Sequence, residues 1–171
     1  METSIIGLAG PARVGKSHLS RELKKVTGCE VMSFASSIRM ALYTMGMSID
    51  LQDKEAPIYR DKSTRDLMRT LGTAWGRESV HENLWVELLM AQIERSESHL
   101  VVIDDVRFSN ESTAIRNRGG FVVELSRGGI TYNREHATEQ GLHSEYIDLR
   151  VDTTNALASV YEILEFTDHE K

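Results

Sequence analysis

Gly10-Pro11-Ala12-Arg13-Val14-Gly15-Lys16-Ser17 fits G-x-x-x-x-G-K-[ST] at every fixed position. Ser4 to Ala9 before it reads as a buried strand, and His18 to Val26 after it reads as a helix. A glycine-rich turn between a strand and a helix is the P-loop arrangement, so the context agrees with the letters. The glycines let backbone N–H groups approach a phosphate chain closely, and the helix N-terminus adds partial positive charge. Lys16 supplies a point charge for the β- and γ-phosphates, and the Ser17 hydroxyl suits Mg²⁺. The chain is therefore expected to bind a nucleoside triphosphate.

Bulk properties set the frame. At 171 residues the chain has room for one domain with a real core. Its net charge of −6 argues against a broad nucleic-acid-binding surface. Cys29 is the only cysteine, so no intrachain disulfide forms and a reducing compartment fits; it reads as a small buried side chain at a strand start. No apolar run reaches the length of a membrane span, and Met1-Glu2-Thr3 does not start a signal peptide. A cytoplasmic protein is the expectation.

Five apolar segments read as strands: 4–9, 29–34, 99–104, 119–125 and 148–152. Helical patterns fall at 16–26, 36–46, 64–79, 83–96, 109–118 and 155–166, with Ser109 and Asn155 as caps. Alternating strands and helices imply an α/β domain: a three-layer α/β/α arrangement around a five-stranded parallel sheet. The stretch between the second and third strands is too long for a single crossover helix and reads as helix and loop throughout. The expected organisation is one domain over 1–171, with a core at 1–34 and 97–171, a helical acceptor-binding insertion at 35–96, and a short lid-like segment at 126–147. That last segment is polar and carries Arg127, Arg134, His136 and His143.

Within the insertion, at about 100° per residue, Arg65, Arg69, Gly72 and Gly76 fall within roughly 60° of one another. Leu67, Leu71 and Trp75 occupy another side, so that side is expected to pack inward, Trp75 included. The arginine side, with two positions lacking a side chain, is expected to admit a planar ligand and hold its phosphate. A solvated arginine face on a helix that stops near Gly72 is the competing reading. Trp85 reads as packing rather than base stacking.

Val101-Val102-Ile103-Asp104-Asp105 is an apolar strand ending in two carboxylates, the Walker B form. At the carboxyl edge of the sheet, one of them would orient Mg²⁺. Arg107 lies within reach of an acceptor or transferring phosphate; a surface ion pair with Asp104 or Asp105 is the alternative reading. Asn110 and Glu111 open the next helix, where capping accounts for them. The turn Asp152-Thr153-Thr154-Asn155 divides between an adenine-side loop and a simple cap.

Four segments together carry a resemblance: Gly10 to Ser17, Leu71-Gly72-Thr73-Ala74-Trp75-Gly76-Arg77, Asp105-Val106-Arg107-Phe108-Ser109-Asn110-Glu111, and His143-Ser144-Glu145. In order and spacing they resemble the bacteriophage deoxynucleoside monophosphate kinases over about residues 5–150. Ser109 stands where that family often has proline, and some members are longer. The resemblance implies the nucleoside monophosphate kinase form of the P-loop fold and transfer of the ATP γ-phosphate to a dNMP of the dGMP, dTMP or dCMP type, with Mg²⁺ as cofactor. Carried over, Gly10, Ala12, Arg13, Val14, Gly15, Lys16, Ser17 and His18 bind ATP. Arg65, Arg69, Gly72, Trp75 and Arg107 grip the acceptor, and Ser17, Asp104 and Asp105 manage the metal. Lys16 and Arg107 act on the transferring group, with Arg127 and Arg134 closing over it. His143-Ser144-Glu145 has no role beyond the resemblance; the His18 and His81 side chains otherwise read as structural. The partners implied are ATP and dNMP, with no nucleic acid or membrane, and a homodimer fits the family. Two rivals remain: a P-loop kinase of another small acceptor, dephospho-coenzyme A or a sugar acid, and a non-kinase P-loop NTPase.

Overall fold

The computed structural model describes residues 3–49, 53–130 and 141–169, and the chain divides into two compact units: Met1–Ser33 with Ile93–Lys171, and Phe34–Gln92. The first unit holds a five-stranded sheet of β1 (Ser4–Ala9), β2 (Glu30–Met32), β5 (Leu100–Val106), β6 (Phe121–Ser126) and β7 (Leu149–Asp152), in the order β2-β5-β1-β6-β7. All its pairings are parallel, so the expected sheet is present and every strand ends on the same edge. Helices α1 (Lys16–Thr27), α5 (Ser109–Arg116) and α6 (Ala156–His169) belong to this unit.

β1 is buried from Ile5 to Ala9, as a central parallel strand covered on both faces must be. On one face Ile6, Leu8, Val102, Val123 and Leu125 form a core with Leu19 and Leu23 of α1 and Val160 and Ile163 of α6. Each such side chain contributes about 1.5–3 kcal/mol on burial. On the other face Ile115 of α5 lies over Gly7; a Cβ there would stand 2.7 Å from Ile115 Cδ1, so α5 seats closely only because residue 7 is glycine. Cys29 is buried just before β2.

The second unit contains α2 (Ser36–Thr44), a hairpin of β3 (Pro57–Tyr59) and β4 (Lys62–Ser63), α3 (Thr64–Arg69), a π-helical segment Thr70–Val80, and most of α4 (Leu84–Ile93). Ile38, Leu42 and Trp85 form its core, with Leu67, Met68, Leu71 and Leu84 against them. Two features correct the reading of this stretch as helix and loop. The hairpin was invisible because its strands are two or three residues long and its turn carries Arg60 at φ 53° instead of glycine or asparagine. The second correction is that the single helix expected over 64–79 changes at Thr70 from i→i−4 to i→i−5 bonding.

That change alters which residues face inward. Gly72 and Gly76 are buried, while Trp75 is half exposed. Ile38 sits over Gly72, the Trp85 ring sits over Gly76, and the Trp85 indole N–H donates to the Gly72 carbonyl at 2.7 Å. The space predicted for a planar ligand is thus filled by the unit's own side chains, and Trp75 is outside the core. Alanine at position 76 would place Cβ 2.5 Å from Trp85 Nε1. Alanine ordinarily gains about 1 kcal/mol over glycine in a helix, but overpacking costs about 1–3 kcal/mol. Gly76→Ala is therefore expected to lower stability in urea unfolding, whereas Gly128→Ala, with open space at its Cβ, should stay within about 0.5 kcal/mol of the parent.

Candidate active site

The carboxyl edge of the central sheet gathers the predicted residues of the first unit. β1 runs straight into the loop 10–15, where Gly10, Arg13 and Gly15 all take positive φ (142°, 66° and 111°). Left-handed residues in a tight turn are a feature of backbone nests, the geometry that cradles phosphate. At Gly10 a Cβ would stand 2.8 Å from the Leu125 carbonyl oxygen, so the loop lies directly against β6. α1 begins at Lys16 with Gly15 as its left-handed cap, and its first-turn N–H groups point out toward the loop. Lys16 Nζ donates to the carbonyls of Gly10 and Pro11 at 2.6 and 2.8 Å, which lays the ammonium across the loop. Ser17, Ala12, Arg13 and His18 are exposed here, and Val14 is buried.

Asp104 and Asp105 lie within β5, which continues to Val106. Pairing with β1 slips between Gly7↔Ile103 and Ala9↔Val106, so both aspartates oppose Leu8 in a bulge. This puts two half-buried carboxylates beside the strand that feeds the phosphate loop. The Ser33 hydroxyl, just past β2, donates to Asp105 Oδ2 at 3.1 Å and fixes that group. Arg107 follows β5 with an exposed side chain. Its backbone N–H and that of Phe108 donate to the buried Glu111 carboxylate at 2.7 and 3.1 Å. Capping was the sequence reading of Glu111; its burial and its grip on the Arg107 turn were not legible.

Arg127 follows β6 on the same edge, and Arg134 and His136 lie outside the described residues. The Thr154 side chain and backbone N–H hold the Asp152 carboxyl below its usual range, with a smaller contribution from the Arg127 charge, which places Arg127 near the end of β7. Asn155 Oδ1 accepts from Ala158 N–H, so capping accounts for that residue. Thr153 is different: its hydroxyl reaches the Val14 carbonyl at 2.6 Å. Ser33 was missed as a site residue, and Thr153 was named only within a turn left between an adenine-side loop and a cap; the signal at each is a small hydroxyl side chain directly after a strand. His143 precedes a short 3-10 turn, Ser144–Tyr146, and the Arg116 guanidinium donates to the Glu145 carbonyl at 2.9 Å, a structural contact.

In the second unit, Arg65 pairs with Glu55 and Arg69 with Asp66 at 3.5 Å. Both pairs are solvent-exposed, and such pairs are worth about 0–1 kcal/mol, less than a guanidinium gains on a phosphate. Trp75 and Trp85 rings stand 6.2 Å apart at 49°, leaving the outer face of Trp75 open to solvent. Arg107 belongs to the first unit, so the predicted acceptor residues are divided between the two.

The sequence pattern of the family described as deoxynucleotide monophosphate kinase matches residues 49–164, most of the chain. The chain belongs to that family. It is 29% identical over 92 residues to the deoxynucleoside-5'-monophosphate kinase of Escherichia phage T5, a match covering 50% of this chain and 37% of that protein's length. Against the protein named as a deoxynucleotide monophosphate kinase in Acanthamoeba polyphaga mimivirus it is 29% identical over 162 residues, 82% of each. Among solved structures it is similar to shikimate kinase from Aquifex aeolicus (TM-score 0.56, 14% identity, 96% of each chain) and to TT1252 from Thermus thermophilus (TM-score 0.58, 16% identity, 99% and 98%). At such identities these likenesses establish the P-loop kinase fold and carry nothing about the acceptor. Among the described residues no helix is long and apolar enough to cross a membrane.

Proposed function

We propose that this protein transfers the γ-phosphoryl group of ATP to a deoxynucleoside monophosphate of the dGMP, dTMP or dCMP type, giving the dNDP and ADP. The observation that carries the reading is the shared carboxyl edge, where the phosphate loop meets Asp104, Asp105 and Arg107, in a chain of this family. An acceptor phosphate oxygen attacks the γ-phosphorus as the bond to the β–γ bridging oxygen breaks, and ADP leaves with that electron pair. The acceptor is already anionic at neutral pH, so alignment and charge stabilisation do the catalytic work without a strong base.

Lys16 and the loop N–H groups hold the phosphates of ATP. The segment 35–96 serves as the acceptor-binding insertion and 126–147 as the lid. Arg65, Arg69 and Arg107 hold the acceptor phosphate, and the exposed face of Trp75 offers the base a surface; Gly72, packed under Ile38, supports that helix from within. Arg127 and Arg134 close over the transferring group. Ser17, Asp104 and Asp105 are hard oxygen donors, few in number, which fits an ion that keeps several waters and binds through substrate phosphates. Mg²⁺, when bound there, supplies neutralisation of charge on the transferring phosphoryl oxygens.

ADP release from MgATP across dNMPs and NMPs, with a no-acceptor control, tests the reading. Turnover that depends on a deoxynucleotide supports it; equal release without acceptor means an NTPase and ends it. For Arg69→Ala, loss of a charged hydrogen-bonding partner is expected to raise KM for the acceptor by about 10–100-fold. Its KM for ATP should stay within about twofold, and an equal rise in both would remove Arg69 from the acceptor site.

A further inference from the structure

Thr153 is largely buried at the end of β7, and its Oγ1 lies 2.6 Å from the Val14 carbonyl oxygen and 3.1 Å from that of Ser126. One hydroxyl proton thus serves two carbonyls, while the Thr153 backbone N–H also donates to Ser126 at 2.9 Å. The hydroxyl therefore ties the phosphate loop to the residue that precedes Arg127. We propose that Thr153 is a positioning residue of the ATP site, acting by setting the orientation of the Val14–Gly15 peptide. The proposal rests on the reading of loop 10–17 as that site.

The reasoning is geometric. A trans peptide is planar, and its C=O and N–H point in opposite directions. With the Val14 carbonyl drawn toward Thr153, the Gly15 N–H must point away from it, toward the concave side of the loop. Gly15 takes φ 111°, a conformation that glycine reaches without strain, and its own carbonyl is held by the His18 and Leu19 N–H groups, so a hold on the Val14 carbonyl fixes the peptide on its other side. The side chain also lies against the loop sterically: a Cβ on Gly15 would stand 3.5 Å from Thr153 Oγ1. Threonine suits the task because its β-branch restricts χ1.

The test uses the full chain and MgATP. Thr153→Val keeps the shape without the hydroxyl, Thr153→Ala removes both, and Thr153→Ser keeps the hydroxyl. Titration calorimetry well below each variant's Tm is expected to show ATP Kd raised about tenfold in T153V and T153A, equal to about 1.4 kcal/mol. T153S should bind within twofold of the parent, and KM for the acceptor should be unchanged in all three. A purely structural role would lower Tm while leaving Kd of the folded protein alone. ATP binding within twofold of the parent in both T153V and T153A, or T153S as weak as T153V, overturns the proposal. The acceptor reading fails separately, by wild-type ADP release that ignores the dNMP; a wild type that does not bind ATP overturns both.

Discussion

Lys16→Ala is expected to lower kcat by about 10²–10³, because a donor aimed at charge developing in the transition state is removed. The ammonium already lies across the loop, on the Gly10 and Pro11 carbonyls. Phosphates entering the loop offer the ammonium a full negative charge, which the Gly10 and Pro11 carbonyls do not. Both carbonyl contacts are only part-buried, so water can replace the ammonium and the fold should lose little. The diagnostic result is a large fall in kcat with Tm nearly unchanged. A kcat within threefold of the parent would mean that another cation stabilises the transferring group.

Glu111→Ala is expected to have the largest effect on stability. The carboxylate is 2% exposed and accepts from two successive backbone N–H groups at the turn from β5 into α5. Removing it leaves two part-buried donors without that charged partner and opens a space beneath the turn, a change of about 3–5 kcal/mol. A domain of this size has about 5–15 kcal/mol in total, so the variant should unfold at much lower urea. Glu111→Gln retains an acceptor oxygen and the shape, and should lose about half as much. Because the same bonds hold Arg107, acceptor KM should rise in E111Q even where the protein is fully folded. Stability of E111A within 0.5 kcal/mol of the parent would show that the turn is held by something else.

The central sheet could be read from sequence because each of its strands is a short apolar run beside a helical pattern, the mark of parallel strands covered on both faces. The phosphate loop was legible because its chemistry needs particular residue types at fixed spacing. The second unit was less so. Leu67 and Leu71 pack inward as expected, but Gly72 and Gly76 are buried too, since periodicity counts side chains and cannot register that two glycines make room for Ile38 and Trp85. The same count put Trp75 inside, where a 100° repeat would place it; the π-helical turn puts it outside. Ser33 was missed, and the role of Thr153 left undecided, for a different reason. Their work depends on which strand ends lie side by side, and the order β2-β5-β1-β6-β7 is a tertiary fact.

The outermost strands of the sheet, β2 and β7, run only three and four residues, and each presents charge: Glu30 on one side, Arg150 and Asp152 on the other. Short charged borders are poor templates for backbone pairing with another molecule. Growth of this sheet from chain to chain, the route to fibrils and amorphous precipitate, is thereby disfavoured at both borders. Preparations at the high concentrations that calorimetry requires should accordingly stay clear of β-rich aggregates.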